Sequence, residues 1–415
     1  MATNNVITTP KTILRMALMD LGGELKIVTN MTKTLDKEFA RTEYKIGDTA
    51  MVRKPYRFVG GYGLDWDPEP LVDQVTPISI TSMPHIHYQW DSREKTLDVR
   101  EVQRLYSRPV ASRLGTLINM EGATFAANNS LSSVGTPGTA PSDEVSYLTA
   151  KDILMEMGLS ENEDLVTIID RRMSSKLISG TKGLFLPALI GQEWKEGEVA
   201  ENQFGSRFLI DQTINTRTNG TFSGSIVVNG AQQAEGGNNA TMTLTISGLT
   251  GTLQQGDRFT IGSSTSATVG GVNATHPQTH ASQGRQQKFT VQQTSAANPT
   301  SIVVSPAITP SGQYQNVDSA AVDQAIITME GTTGLTNIRQ GLVFHREAFA
   351  FLTVPIHEPE PGMGAKVFQE TDDDTGLVMS CVKYFDGNPG VEKIKWQALT
   401  GMGALYKEMS VVVQS

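Results

Sequence analysis

DVREVQRLYSRPVASRLGTLINMEGATFAAN, residues 98–128, is the longest strongly helix-periodic run in a chain of 415 residues. Val99, Val102, Leu105, Tyr106, Val110, Leu114, Leu117, Ile118 and Phe125 recur mostly at steps of three and four. That spacing lays one apolar stripe along a helix. Arg100, Glu101, Arg104, Arg108 and Arg113 lie mostly off the stripe. At the usual rise per residue the run spans roughly 45 Å. Pro109 interrupts it, since proline removes a donor and clashes with the preceding turn. The run is therefore either one kinked helix or a short helix feeding a longer one that begins near Pro109. A single long helix followed by many strands points to a beam on which a broad, flat protein is hung.

Outward from the helix, the totals set bounds. The length allows two or three domains with an ample core. A net charge of −9 argues against a protein that wraps nucleic acid tightly. One cysteine, Cys381, excludes a disulfide framework or a cysteine-rich metal site. The N-terminal stretch lacks the uninterrupted apolar core of a secretory signal. No run approaches the roughly 18 apolar residues of a membrane span, so no membrane partner is expected.

Upstream of the helix, Ile13, Leu14, Ala17, Leu18 and Leu21 form a short amphipathic stripe that stops at Gly22 and Gly23. A second short helix is predicted near Leu35–Arg41. Thr49–Phe58 reads as a strand and Ser79–Ser82 as its return. Gly60, Gly61 and Gly63 loosen the backbone between them, so the pair forms a long two-stranded excursion. His85–Trp90 alternates as another strand and leads into the helix.

Downstream, the pattern turns α/β. A helix is predicted over Thr149–Met157 with Thr149 as N-cap and Gly158 at its end. Leu165–Ile169 reads as a buried strand, Arg171–Ser179 as a helix and Gly205–Asp211 as a further strand. From about residue 215 to 323 the chain carries only about 8 charged residues. Short β-rich runs recur there, at Ser225–Val228, Met242–Ser247, Arg258–Ile261, Lys288–Gln292 and Ser301–Val304. They predict a small inserted β-barrel or sandwich, with a disordered polar linker as the competing reading. Residues 341–356 read as a strand running into a short helix. Strands are predicted at Leu377–Phe385, Glu392–Ala398 and Leu405–Val413.

Catalytic constellations are scarce. LVTIID, residues 165–170, ends in aspartate as a Walker B strand does, but no G-x-x-x-x-G-K-[ST] accompanies it. His85 and His87 share a strand face, and two ligands without a third do not make a metal site. Asp372, Asp373 and Asp374 lack the spacing and glycine of a calcium loop. No catalytic residue, cofactor or metal is expected, and the profile is that of a structural or binding protein rather than an enzyme.

An ordered set of short motifs then carries a resemblance. Gly47, Asp48 and Thr49, followed by Arg53-Lys54-Pro55 and Arg57-Phe58, resemble the G-D-T/S-V-x-x-(R/K)-(R/K)-P-x-x-F signature of tailed-phage coat proteins. The branch is the coat-protein type of the short-tailed Salmonella phage. Leu105 with Pro109 and Val110 resembles the start of that family's spine helix. Leu165–Asp170, Phe344 and His345 with Ala348 and Phe349, and Lys383–Asn388 resemble later family segments in the same order.

The resemblance implies an α+β, Hong Kong 97-like (Johnson) capsid fold. Residues 1–48 would be an N-terminal arm and 49–84 an extended loop. Residues 85–130 and 361–415 would form a peripheral domain containing the spine helix. Residues 143–214 and 326–360 would form a central domain, and 215–325 an inserted β domain. The implied function is a major capsid protein, a homo-oligomer of hexamers and pentamers enclosing double-stranded DNA. A scaffolding protein and a portal are the further implied partners, with a decoration protein an optional addition. Assembly would take place in the host cytoplasm and end in the virion capsid.

Arg53, Lys54 and Arg57 on the excursion are candidate inter-subunit ion-pair formers, with ordinary exposed charges as the alternative. Trp66 and Asp67 near its tip, and Leu14, Ala17 and Leu18 on the arm's stripe, complete the candidate assembly contacts. The competing functions are a glycan-binding virion or cell-surface protein and an encapsulin-like compartment shell.

Overall fold

The structure, a computed structural model, describes residues 25–33, 49–61, 63, 68–71, 74–91, 108–160, 164–180, 202–230, 233–235, 240–268, 270–356, 365–372, 376–386 and 390–415. The chain divides into two compact units. The first comprises residues 1–52, 76–122 and 349–403, and the second 53–75, 123–348 and 404–415.

The first unit is organised on one long strand, Val391–Ala404. It pairs antiparallel with Val378–Asp386 along most of its length, Trp396 standing opposite Cys381. On its other edge it takes His85–Asp91 first, Ile394 opposite Tyr88, and then Gln74–Ser82, Gly401 opposite Ile80. Thr49–Lys54 and Ala365–Thr371 complete the two ends of the sheet, and Phe349–Val354 pairs with the long strand off this path. Ile78, Ile80, Met379, Trp396 and Leu399 are buried.

The long helix is described over Arg108–Asn129. Pro109 is the second residue of that span, and the part of the predicted run before Arg108 lies outside the described residues. Ala111, Leu114 and Ile118 are fully buried, one face at steps of three and four.

Sequence periodicity did not reveal the short helix Lys26–Thr29, flanked by the buried Leu25 and Met31. It packs on its own chain against the long helix. A Cβ at Gly122 would lie 2.8 Å from a Val28 methyl, so only glycine permits this approach. Asn119, fully buried, accepts hydrogen bonds from the Ile27 and Val28 amides at 2.9 and 3.4 Å. A side chain far along the chain thus caps first-turn donors that a four-residue helix cannot satisfy itself. Asn119→Leu is expected to cost about 2–3 kcal/mol, because it strands two buried N–H groups. Urea unfolding of the two proteins checks this.

The second unit holds a mixed sheet in the order Ser132–Val134, Ser410–Gln414, Ile338–His345, Leu165–Ile169, Ser206–Ile210 and Asn202–Gln203, with Asn215–Arg217 also on Ile338–His345. Every residue of Leu165–Ile169 is buried, which is why it reads as an unbroken apolar run. Helix Arg171–Gly180 follows it directly.

Three local expectations are corrected. The helix predicted from Thr149 begins at Val145 with Glu144 at the N-cap. Buried Tyr147 draws the first turn in, its ring meeting Phe208 edge-on at 5.7 Å. Gly158, at φ +94°, does close that helix. Residues 341–356 do not run from strand into helix. Arg346–Ala348 is a single 3-10 turn, and Phe349–Val354 is a second, nearly fully buried strand. The last strand starts at Ser410 rather than Leu405, because a turn at Lys407–Met409 intervenes.

The charge-poor segment folds. Six antiparallel strands stand in the order Val227–Val228, Met242–Ser247, Ser301–Ser305, Lys288–Val291, Arg258–Ile261, Ile327–Met329. Met242, Leu244 and Ile246 are buried while Thr243 and Thr245 face out, the alternation read in the sequence. Phe259 and Phe289 stack at the centre, ring centroids 5.8 Å apart.

Candidate assembly surface and the neck of the inserted sheet

The excursion between Thr49 and Ser82 exposes what folded chains normally bury. Met51, Phe58, Val59 and Leu71 are 64, 56, 52 and 67% exposed. So many large apolar side chains on one extended element mark a surface that another macromolecule covers.

Its foot is fastened by charge. Lys54 lies over the Tyr406 ring, 5.5 Å from the centroid, and Arg57 forms an ion pair with Glu408. Lys407 donates to the Ser305 hydroxyl at 3.0 Å. Burial pushes the Lys407 ammonium down to about 8, with Lys54 adding to the shift and Glu408 opposing it. Lys54 is lowered for the same first reason, with Glu408 again opposing.

Unfolded Lys407 holds its proton up to about 10.5, so between pH 8 and 10.5 the unfolded chain binds more protons and stability rises with pH. Lys407→Met is expected to stabilise the chain at pH 7 by about 1–3 kcal/mol. It should also flatten the rise in thermal midpoint over that alkaline range, measured by calorimetry.

Of the residues singled out from sequence, Lys54 and Arg57 therefore come together on the turn at 406–408. Arg53 lies on the described strand, and its side chain is outside the described residues. Trp66, Asp67, Leu14, Ala17 and Leu18 also lie outside them. His85 and His87 stack on a sheet face at 5.9 Å. Among the described residues no group of three His, Cys, Asp or Glu side chains could hold a metal, and no helix is long and apolar enough to cross a membrane. Asp170, the aspartate after the apolar strand, accepts from the Arg172 amide at the start of a helix and pairs with Arg339.

Sequence reasoning missed the densest polar cluster, where the inserted sheet meets the rest of its unit. Arg258 is completely buried. Its guanidinium donates to the carbonyls of Ala127, Ser130 and Ser132 at 2.7, 3.2 and 3.4 Å. The Ala127 carbonyl belongs to the last turn of the long helix, where backbone acceptors lack partners and cations are favoured. Burial pushes Arg258 down to about 10, which leaves it charged at neutral pH.

Beside it, Lys288 pairs with Glu330 at 2.6 Å and donates to Ser133. Burial acts to raise the Glu330 carboxyl, but the Lys288 and Arg258 charges outweigh it and hold it below its ordinary value. On the other side Arg217 pairs with Asp257 at 3.1 Å and donates to Asn219 at 2.8 Å. Asp257 also accepts from the Gly220 and Gln254 amides. Asn219 in turn donates to the carbonyls of Glu330 and Thr332. The incoming and outgoing strands are thus bonded to each other at the neck.

The description of P22 coat protein, gene protein 5, matches residues 1–413. A major capsid protein of Acyrthosiphon pisum secondary endosymbiont phage 1 is 22% identical over 213 residues, 49% of this chain and 50% of that protein. That match spans about half the relative's length. A solved structure from Mycobacterium phage Che8 aligns with 93% of this chain and 90% of its own at 11% identity and a TM-score of 0.45. The mature capsid of bacteriophage PhiM1 aligns with 93% of this chain and 86% of its own at 10% identity and a TM-score of 0.41. The family match spans the residues of the long helix, the excursion and the inserted sheet alike. The chain belongs to the P22 coat protein family.

Proposed function

We infer that this chain is a major capsid protein whose copies assemble as hexamers and pentamers into an icosahedral shell around double-stranded DNA. The family match over residues 1–413 carries this reading. The exposed apolar side chains of the excursion supply its physical driving force, since a neighbouring copy is the surface that would bury them. The role is mechanical rather than catalytic.

Within this reading, residues 1–48 act as the arm, 49–84 as the extended loop and 215–325 as the insertion. Residues 85–130 with 361–415 form the peripheral domain, and 143–214 with 326–360 the central domain. Arg53, Lys54, Arg57, Trp66 and Asp67 on the loop, and Leu14, Ala17 and Leu18 on the arm, make the contacts between copies. A scaffolding protein directs assembly in the host cytoplasm, and a portal occupies one vertex. The acidic subunit leaves packaged DNA free to slide.

The test is co-expression of the full chain with the products of its neighbouring genes, followed by sedimentation and negative-stain microscopy. Closed shells are expected. A chain that stays monomeric at every ratio of scaffold overturns the reading.

A further inference from the structure

The extended loop is fastened at a second point, and that point lies on the inserted sheet. Glu69, on the returning limb, accepts from the Val59 amide at 2.9 Å and the Gly60 amide at 2.7 Å. One carboxylate thereby ties the two limbs of the loop together, with Gly60 in the left-handed region at φ +67°. From the insertion, the Gln313 side-chain amide donates to the Pro70 carbonyl at 2.8 Å and to Glu69 Oε2 at 3.3 Å.

Gln313 sits on a braced turn. Asn316 donates to the Ala307 carbonyl at 2.6 Å and accepts from the Thr309 amide at 2.9 Å, and the Gln315 amide donates to Gly312 at 3.1 Å. The Val59 and Gly60 amides hold the Glu69 carboxyl below its ordinary value, with Gln313 and His280 of the insertion adding to the effect. With Lys54 and Arg57 fixed to Tyr406 and Glu408, the loop is held near both its foot and its tip by its own chain.

We propose that Glu69 and Gln313 are positioning residues for assembly: they latch the extended loop to the insertion of the same chain. The latched loop keeps Phe58, Val59 and Leu71 outward for a second copy. Nothing in the sequence marks either residue, because a lone glutamate and a lone glutamine carry no spacing. The proposal rests on the capsid reading for its purpose, but the latch itself exists in the free chain and is tested there.

The first experiment is limited proteolysis of the full-length monomer, scored at bonds between residues 56 and 71. Gln313→Ala and Gln313→Glu are expected to be cut about tenfold faster than the parent, the latter because two carboxylates then face each other. Glu69→Gln, which leaves one side-chain acceptor for the two amides of Val59 and Gly60, should also be cut faster than the parent. Unchanged cleavage in both Gln313 variants overturns the latch.

The second experiment compares shell yield for the same proteins. Opened variants that assemble at the parent rate overturn the positioning role and leave the capsid function standing. If the parent itself never assembles, the capsid reading fails while the proteolysis result keeps its meaning.

Discussion

Arg258→Met is expected to lower the stability of the full chain by about 3–5 kcal/mol, read as a shift in the urea midpoint. Three backbone carbonyls around the end of the long helix lose their donor at once. Methionine fills much of the volume but offers them nothing, and the site is buried away from the surface. Glu330 also loses one of the two charges that keep it ionised. Arg258→Lys should recover less than half of the loss, since one ammonium cannot span acceptors laid out for a planar fork. Full stability in Arg258→Met would mean that the neck is held by apolar packing alone.

Phe58→Asp combined with Leu71→Asp should abolish shell formation and leave the monomer's unfolding midpoint within about 0.5 kcal/mol of the parent. Both side chains are more than half exposed, so the monomer loses almost nothing. A covering neighbour would lose roughly 1.5–3 kcal/mol for each. The concentration needed for assembly should then rise at least about a hundredfold. Light scattering of the purified chain with scaffold measures that threshold. Normal shells at the parent's threshold would show that the loop's apolar face lies uncovered in the particle.

What could be read from sequence and what could not separates along a physical line. Met242–Ser247 was legible because one face meets a core and the other meets water, which the period of two records directly. Leu165–Ile169 was legible as a buried strand, because four of its five residues are apolar. Arg258 was not legible. Its charge on a short strand looks like any solvent-facing residue, and its partners lie more than 120 residues away. Asn119 escaped notice for the same reason, since its acceptor role depends on a short helix about 90 residues upstream. Lys54 and Arg57 were singled out as candidate contacts between copies, and their partners within the chain, Tyr406 and Glu408, could not be named from spacing.

The closed neck has an evolutionary consequence. Asn219 and Glu330 are hydrogen-bonded to each other, and just outside them Arg217 stands opposite Ile338 in the host sheet. Everything between is a detour that leaves and rejoins the chain's path at one place. A replacement segment can leave and rejoin here without shifting the register of the two flanking strands, provided that it again supplies a donor to the carbonyls of Ala127, Ser130 and Ser132. Lineages built on the same shell can therefore differ widely in what they carry at this point while keeping the remainder of the subunit superimposable.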